Sequence, residues 1–190
     1  MLCKMAIYIR NKLYTYLIYL LLLKKKSYIK ISFTSTSLPI LLRNIDKIGT
    51  NVYIGNNARI GISRSATLII KDGTQINDNL EISCNSFIEI GENVLIGRNV
   101  FIGDNIHNYE RIYQPIIKQQ LSMGGKTIIE DDCWIGTGSC VLKDVVIGKH
   151  SIVGANSVVT KDIPPYSVSV GIPAKVVKKY DFEKERWIKI

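Results

Sequence analysis

The sequence predicts an all-β parallel β-helix, a triangular solenoid of short strands, and two observations predict it. Aliphatic residues recur every six positions from Ile48 onward, and eight of the 14 glycines directly follow an isoleucine. Ile48-Gly49-x-x-Val52, Ile54-Gly55-x-x-Ala58 and Ile60-Gly61 run consecutively. After a break the frame returns as Ile90-Gly91-x-x-Val94, Ile96-Gly97-x-x-Val100 and Ile102-Gly103. A third block runs Ile129, Ile135, Val141, Ile147, Val153 and Val159. An amphipathic helix needs apolar residues spaced by three and four, and a half-buried strand needs strict alternation. A period of six fits neither, but it fits a short strand ending in a tight turn. The aliphatic residue points inward and the glycine allows close approach. A small residue four places on fills the next corner, as at Cys133, Ser139, Val145, Ser151 and Ser157. Three hexads close one coil, and stacked coils pair their backbones about 4.8 Å apart. Ile70, Ile76 and Ile82 keep the spacing in a shifted frame, which predicts short insertions at the corners.

The elements divide into residues 1–47, a basic and apolar segment expected to be helical; 48–165, the solenoid; and 166–190, a tail folding back as a cap. A chain of 190 residues suits one domain with such an appendage. Its formal charge of +9 is unevenly placed. Residues 1–50 hold nine of the 25 Lys+Arg and one of the 16 acids, a net +8, which leaves +1 for the other 140. A basic stripe along the folded body, the footprint of nucleic-acid binding, is therefore not expected. The apolar run Leu13–Leu23 is too short for a bilayer, which needs about 20 residues. Lys24, Lys25 and Lys26 stand where a signal-peptide cleavage site would have to be. Two readings remain for this segment: an interfacial helix on an anionic inner leaflet, or a helix packed on the domain or a sister subunit.

The two histidines, His107 and His150, exclude a three-histidine zinc centre in one chain. Cys3, Cys84, Cys133 and Cys140 form no C-x-x-C pair, which fits a reducing, cytoplasmic setting. Because the inward rows are aliphatic or small, catalytic groups must come from loops. After Ile102-Gly103-Asp104-Asn105 the frame restarts only at Thr127 or Ile129, so residues 106–126 leave the solenoid as a long loop, the usual place for function in a compact fold. His107 at its root is either a general base or a surface histidine. His150 falls at a turn of a regular hexad and is expected to be solvated and inert.

These motifs carry a family resemblance. Gly103-Asp-Asn-Ile-His107-Asn-Tyr109, Gln114-Pro115-Ile116, Gly124-Gly125, Ile129-Glu-Asp-Asp-Cys-Trp134-Ile-Gly136, Gly154-Ala155-Asn-Ser-Val-Val-Thr160-Lys161-Asp162-Ile-Pro164-Pro165 and Gly171-Ile-Pro173-Ala-Lys175-Val-Val-Lys178 stand in the order of the hexapeptide-repeat acyltransferases. The chain most resembles the bacterial surface-polysaccharide O-acetyltransferases, which are related to the maltose and galactoside acetyltransferases. The resemblance spans about residues 48–180. It implies a left-handed β-helix, a homotrimer and acetyl-CoA as acyl donor. It also implies that His107 is catalytic, that Thr137, Ala155, Thr160, Lys161, Lys175 and Lys178 meet the coenzyme, and that Asn77, Trp134 and Tyr109 lie on the acyl or acceptor side. Lysine heads suit phosphate as point charges. One departure is Asn105, where the polysaccharide branch often has a second histidine. No metal is implied.

Acyl transfer to a hydroxyl needs a base and donors for the developing oxyanion. An imidazole can take and return a proton near neutrality, and backbone N–H groups can hold the oxyanion. Cys84, Cys133 and Cys140 are weaker candidates for an acyl-enzyme, so direct transfer is expected. The acceptor expected is a sugar hydroxyl of a surface glycan or its precursor, with peripheral membrane contact through the N-terminal segment. The alternatives are acetylation of an antibiotic or other xenobiotic, N-acetylation of a nucleotide sugar, and a non-catalytic β-helix module.

Overall fold

A computed structural model describes residues 45–190 apart from Met123, together with Leu13, Tyr16, Leu17, Leu20, Leu21 and the strand Tyr28–Ile29. The expected N-terminal helical segment lies largely outside the described residues. The five described positions from Leu13 to Leu21 have helical backbone, and among the described residues no helix is long and apolar enough to cross a membrane.

The chain winds around three faces. The first contains β2 (Tyr53–Ile54), β5 (Gln75–Ile76), β8 (Leu95–Ile96), β11 (Trp134–Ile135) and β14 (Ile152–Val153), with β1 (Tyr28–Ile29) before them and β16 (Ser167–Val170) after. The second contains β3 (Arg59–Ile62), β6 (Glu81–Cys84), β9 (Phe101–Gly103), β12 (Cys140–Val141) and β15 (Val158–Val159). The third contains β4 (Thr67–Ile70), β7 (Phe87–Ile90), β10 (Lys126–Ile129) and β13 (Val146–Ile147). Pairing within these faces is parallel, and each strand lies over its counterpart one coil earlier. Ile54 pairs with Ile76, Ile76 with Ile96, Ile96 with Ile135 and Ile135 with Val153. All five are fully buried. Each such side chain contributes about 1.5–3 kcal/mol by leaving water.

The shifted frame has a geometric cause. β3, β4, β6 and β7 are each four residues long and turn two side chains inward: Ile60 and Ile62, Leu68 and Ile70, Ile82 and Cys84, Ile88 and Ile90. Strict alternation, which fails for the chain as a whole, thus holds locally in the early coils. On the second face the later strands shorten to three residues in β9 and two in β12 and β15, and the hexad is kept.

Corners follow a rule of their own. The third residue after an inward aliphatic has positive φ: Asn51, Asn57, Asn79, Asn93, Asn99 and Asn156, with Asp132, Asp144 and His150 in the same place. Asn and Asp tolerate this left-handed conformation better than other L-residues. His150 is one of these turn residues, exposed and stacked on Tyr166 at 5.8 Å between ring centroids. The glycine after the aliphatic is required by the coil above: a Cβ on Gly97 would come 2.6 Å from the Thr137 nitrogen, and one on Gly136 would come 2.5 Å from the Ala155 nitrogen. Carboxylates join successive coils here, with Asp72 and Asp78 accepting the backbone N–H of Thr50 (2.8 Å) and Asn56 (2.7 Å). Amides do so in series, Asn57 donating to Asn79 and Asn79 to Asn99.

After β16 the chain reverses, and β17 (Lys175–Asp181) and β18 (Arg186–Lys189) add antiparallel strands to the end of the first face. Edge-to-face contacts knit this end together: Tyr166 with Phe182 at 4.9 Å, Phe182 with Tyr180 at 5.1 Å and Tyr180 with Trp187 at 5.5 Å.

The two sides of β8 give a direct check of this packing. Ile96→Ala, deleting a fully buried side chain, should lower stability by about 2–5 kcal/mol, whereas Leu95→Ala, on the outer side of the same strand, should cost less than about 1 kcal/mol. Denaturant or thermal unfolding of the two variants measures the difference.

Candidate functional site

The loop leaves the solenoid at the corner between the second and third faces, and its root is held by Asp104. This carboxylate is fully buried. One oxygen accepts the N–H of Asn85 and the other those of Ser86 and Phe87, each at 2.7 Å. Asp104 therefore closes the corner of the preceding coil while its own backbone departs from the hexad. Asn105 completes the anchor, its amide donating to the backbone oxygen and hydroxyl of Ser83 at 2.9 Å and to Asp104 at 3.1 Å. Charge-assisted bonds of this kind are among the stronger ones in proteins.

His107 follows three residues after Asp104 and is exposed. Its backbone forms an antiparallel bridge with Leu121, flanked by hydrogen bonds from Ser122 N to Ile106 O (2.8 Å) and from Asn108 N to Gln120 O (3.1 Å). The outgoing and returning arms of the loop are thus zipped beside the histidine. Further out, the buried amide of Gln119 donates to the carbonyls of Arg111 (3.0 Å) and Gln114 (2.9 Å) and accepts from the Arg111 N–H (3.3 Å). The loop returns to the solenoid at Thr127, whose hydroxyl donates to the Gly103 carbonyl at 3.0 Å.

The other candidate residues fall on both edges of the second face. Thr137 and Ala155 occupy successive coils at its corner with the first face, and the Asn156 N–H donates to the Thr137 carbonyl at 2.8 Å. Thr160 and Lys161 follow β15 at the corner with the third face, the corner from which the His107 loop emerges; both are exposed. Between these edges run Phe101, Cys140 and Val158, stacked in register on the outer side of β9, β12 and β15. Past the Ile172–Pro173 cis bond, the Ala174 N–H donates to the Val158 carbonyl at 2.8 Å, which brings Lys175 to the last coil of this face. Lys178 pairs with Val168 on the closing hairpin.

Other candidates stand elsewhere within one chain. Asn77 is at the corner of the first and second faces, half-buried, with its amide donating to the Ile96 carbonyl at 3.1 Å. Trp134 is half exposed on the first face, between Leu95 and Ile152. Tyr109 is exposed on the loop. Sequence reasoning missed three groups that shape the site, Asp104, Gln119 and Lys143; the Lys143 ammonium reaches the Ser122 hydroxyl at 3.4 Å. The one available signal was that Asp104-Asn105 is where the hexad stops. Among the described residues no cluster of three His, Cys, Asp or Glu could hold a metal ion.

The bacterial transferase hexapeptide (six repeats) family model matches residues 126–161. A stretch of 55 residues is 53% identical to a Schizosaccharomyces pombe protein provisionally named an acetyltransferase, covering 29% of this chain and 27% of that protein. A stretch of 61 residues is 41% identical to chloramphenicol acetyltransferase of Klebsiella aerogenes, covering 32% of this chain and 29% of that enzyme. The chain thus matches less than a third of the length of these curated relatives. Among solved structures, a hexapeptide-repeat-containing acetyltransferase of Vibrio cholerae O1 biovar eltor, complexed with acetyl coenzyme A, is 27% identical over 67% of this chain and 70% of its own, with a TM-score of 0.54. Galactoside acetyltransferase in complex with coenzyme A shares the fold at 24% identity, a TM-score of 0.58 and coverage of 95% and 84%.

Residues 126–161 match the hexapeptide repeat, and the winding of the chain is that of a left-handed parallel β-helix. Within that class it resembles the acetyltransferases built on the same solenoid.

If Asp104 is the clamp of the loop root, Asp104→Asn should destabilise the protein by about 2–4 kcal/mol, because an amide NH₂ would replace an acceptor facing buried donors. His107→Ala, at an exposed position, should stay within about 0.5 kcal/mol of wild type. Thermal denaturation of both variants tests the contrast.

Proposed function

We propose that this chain is an acetyl-CoA-dependent O-acetyltransferase acting on a sugar hydroxyl of a surface glycan or its precursor. The observation that carries the reading is the anchoring, by Asp104 and Asn105, of the root of the loop that carries His107, at the corner shared with Thr160 and Lys161 and across the second face from Thr137 and Ala155. The likeness to an acetyltransferase crystallised with acetyl coenzyme A supports the choice of donor.

In this reading the acyl donor lies along the second face, with Thr137 and Ala155 on one side and Thr160, Lys161, Lys175 and Lys178 supplying hydroxyl and ammonium groups toward its polar parts. His107 removes the proton from the acceptor hydroxyl as its oxygen attacks the thioester carbon. The C–S bond of the tetrahedral intermediate then breaks, and the imidazolium returns its proton to the thiolate. Backbone N–H groups hold the oxyanion. Transfer is direct. Burial pushes the Cys84 thiol up to about 12, with the Asp104 charge adding to it, and burial pushes Cys133 up to about 11. Both are poor thiolate nucleophiles at neutral pH.

A homotrimer completes the site. The loop exposes Ile112 at 81%, Tyr113 at 96% and Ile117 at 82%, while the first face exposes Trp134. Packing such a loop on a neighbour buries these side chains and lets the neighbour's Asn77 and Trp134 face His107. In this reading the enzyme works in the cytoplasm, with the exposed helical positions Leu13, Tyr16, Leu17 and Leu20 resting on the anionic inner leaflet. The identity with chloramphenicol acetyltransferase supports a second acceptor class, a hydroxylated xenobiotic; a panel of sugars and hydroxylated antibiotics separates the two.

His107→Ala should reduce turnover about 10²- to 10⁴-fold while calorimetric titration with acetyl-CoA still shows saturable binding; Thr160→Ala combined with Lys161→Ala should weaken that binding. A folded wild-type protein that binds no acetyl-CoA would overturn the assignment in favour of a non-catalytic module.

The thiols give a separate readout. Native protein incubated with acetyl-CoA alone should carry no acyl-cysteine by mass spectrometry, and iodoacetamide at pH 8 should label Cys84 and Cys133 only after unfolding. Raised folded values mean that the stability contribution of these thiols is intact below about pH 8.5, where the unfolded thiol is protonated, and is lost as pH rises toward 11–12.

A further inference from the structure

The loop that presents His107 also forms a half-open pocket of about 410 Å³, within the range of small-molecule sites. Asn108, the residue after His107, lines it together with Glu110, Arg111, Gln114 and Lys118. Gln119 lines it too, but its amide is consumed in three backbone hydrogen bonds that tie it to Arg111 and Gln114. The pocket is therefore framed by the same hydrogen bonds that order the loop. Its wall differs from an apolar drug pocket: side-chain amides that both donate and accept, one carboxylate, and two cations, Arg111 before the Ile116–Lys118 turn and Lys118 at its end. Amides and a carboxylate match a polyhydroxylated ring, and a guanidinium paired with an ammonium matches an anion.

We propose that this cavity is an acceptor subsite selecting a glycan whose sugar carries an anionic group, a carboxylate or a phosphate, close to the hydroxyl that reacts. Arg111 and Lys118 bind the anion, and Asn108 and Gln114 bind ring hydroxyls. Asn108 links the pocket to the histidine through the backbone, its N–H donating to the Gln120 carbonyl next to the His107–Leu121 bridge. The assignment rests on the acyltransfer reading above and narrows its acceptor class.

The test compares three acceptors of one configuration: methyl galactopyranoside, methyl galactopyranosiduronate and galactose 6-phosphate. Equilibrium binding by calorimetry and acetyl transfer by thiol release are measured for wild type and for Arg111→Gln combined with Lys118→Gln. One of the anionic sugars should be preferred over the neutral one about tenfold or more in Kd and in kcat/KM. The ratio should fall toward one in the double variant and on raising ionic strength. Preference for the uronate or for the phosphate names the anion. Equal use of neutral and anionic sugars, or a preference that survives the double substitution, overturns the subsite and leaves the transferase standing. Charge-dependent sugar binding by a protein that binds no acetyl-CoA upholds the subsite and overturns the transferase. Binding of neither sugar nor acetyl-CoA overturns both.

Discussion

Every part of this molecule depends on how closely one coil lies on the next. At the corners the backbones approach so nearly that a single added carbon on Gly97 or Gly136 would overlap the chain above. That contact dictates a glycine, then a residue free to take positive φ, then a small or aliphatic side chain turned inward. A segment that cannot meet these requirements is expelled from the stack. Residues 106–126 are such a segment, and Asp104 marks the last point at which the corner is satisfied. A side chain takes over there from the backbone, its two oxygens accepting the three N–H groups of residues 85–87.

The aliphatic period is legible in one dimension because the solenoid repeats one environment. Ile54, Ile76, Ile96, Ile135 and Val153 meet the same neighbours coil after coil, so their spacing is the fold. The early coils were harder to read. Ile62 and Leu68 belong to strands lengthened by two residues, and an alternating pattern four residues long carries little weight beside a hexad. Asp104 was not legible as a clamp, since its acceptor role depends on donors some 18 positions earlier that only the winding brings beneath it. The same limit applies to Gln119, whose polar amide gave no sign of being the buried hub of its loop.

Within the candidate site, sequence order and spatial grouping diverge. Thr137 and Ala155 lie one coil apart although 18 residues separate them, and Thr160, only five residues beyond Ala155, lies across a face. Each passage along two strand residues and a turn moves the chain from one edge of the triangle to the next. Asn77 and Trp134, named together with His107 by resemblance, sit on parts of the solenoid that do not adjoin its loop. The separation follows from the triangular section.

The antiparallel hairpin of β17 and β18 has a consequence for the molecule's behaviour in crowded solution. A parallel solenoid ends in a row of open peptide groups in register with the start of any identical chain, which makes it a template for filament growth by repeated addition. Reversing direction at Gly171 destroys that registry, and the final edge carries Arg186 and Lys189, charges that discourage another strand from joining. The aromatic contacts from Tyr166 through Trp187 hold the reversal in place. The hairpin therefore gives this end of the first face an antiparallel, charged edge in place of an open parallel one.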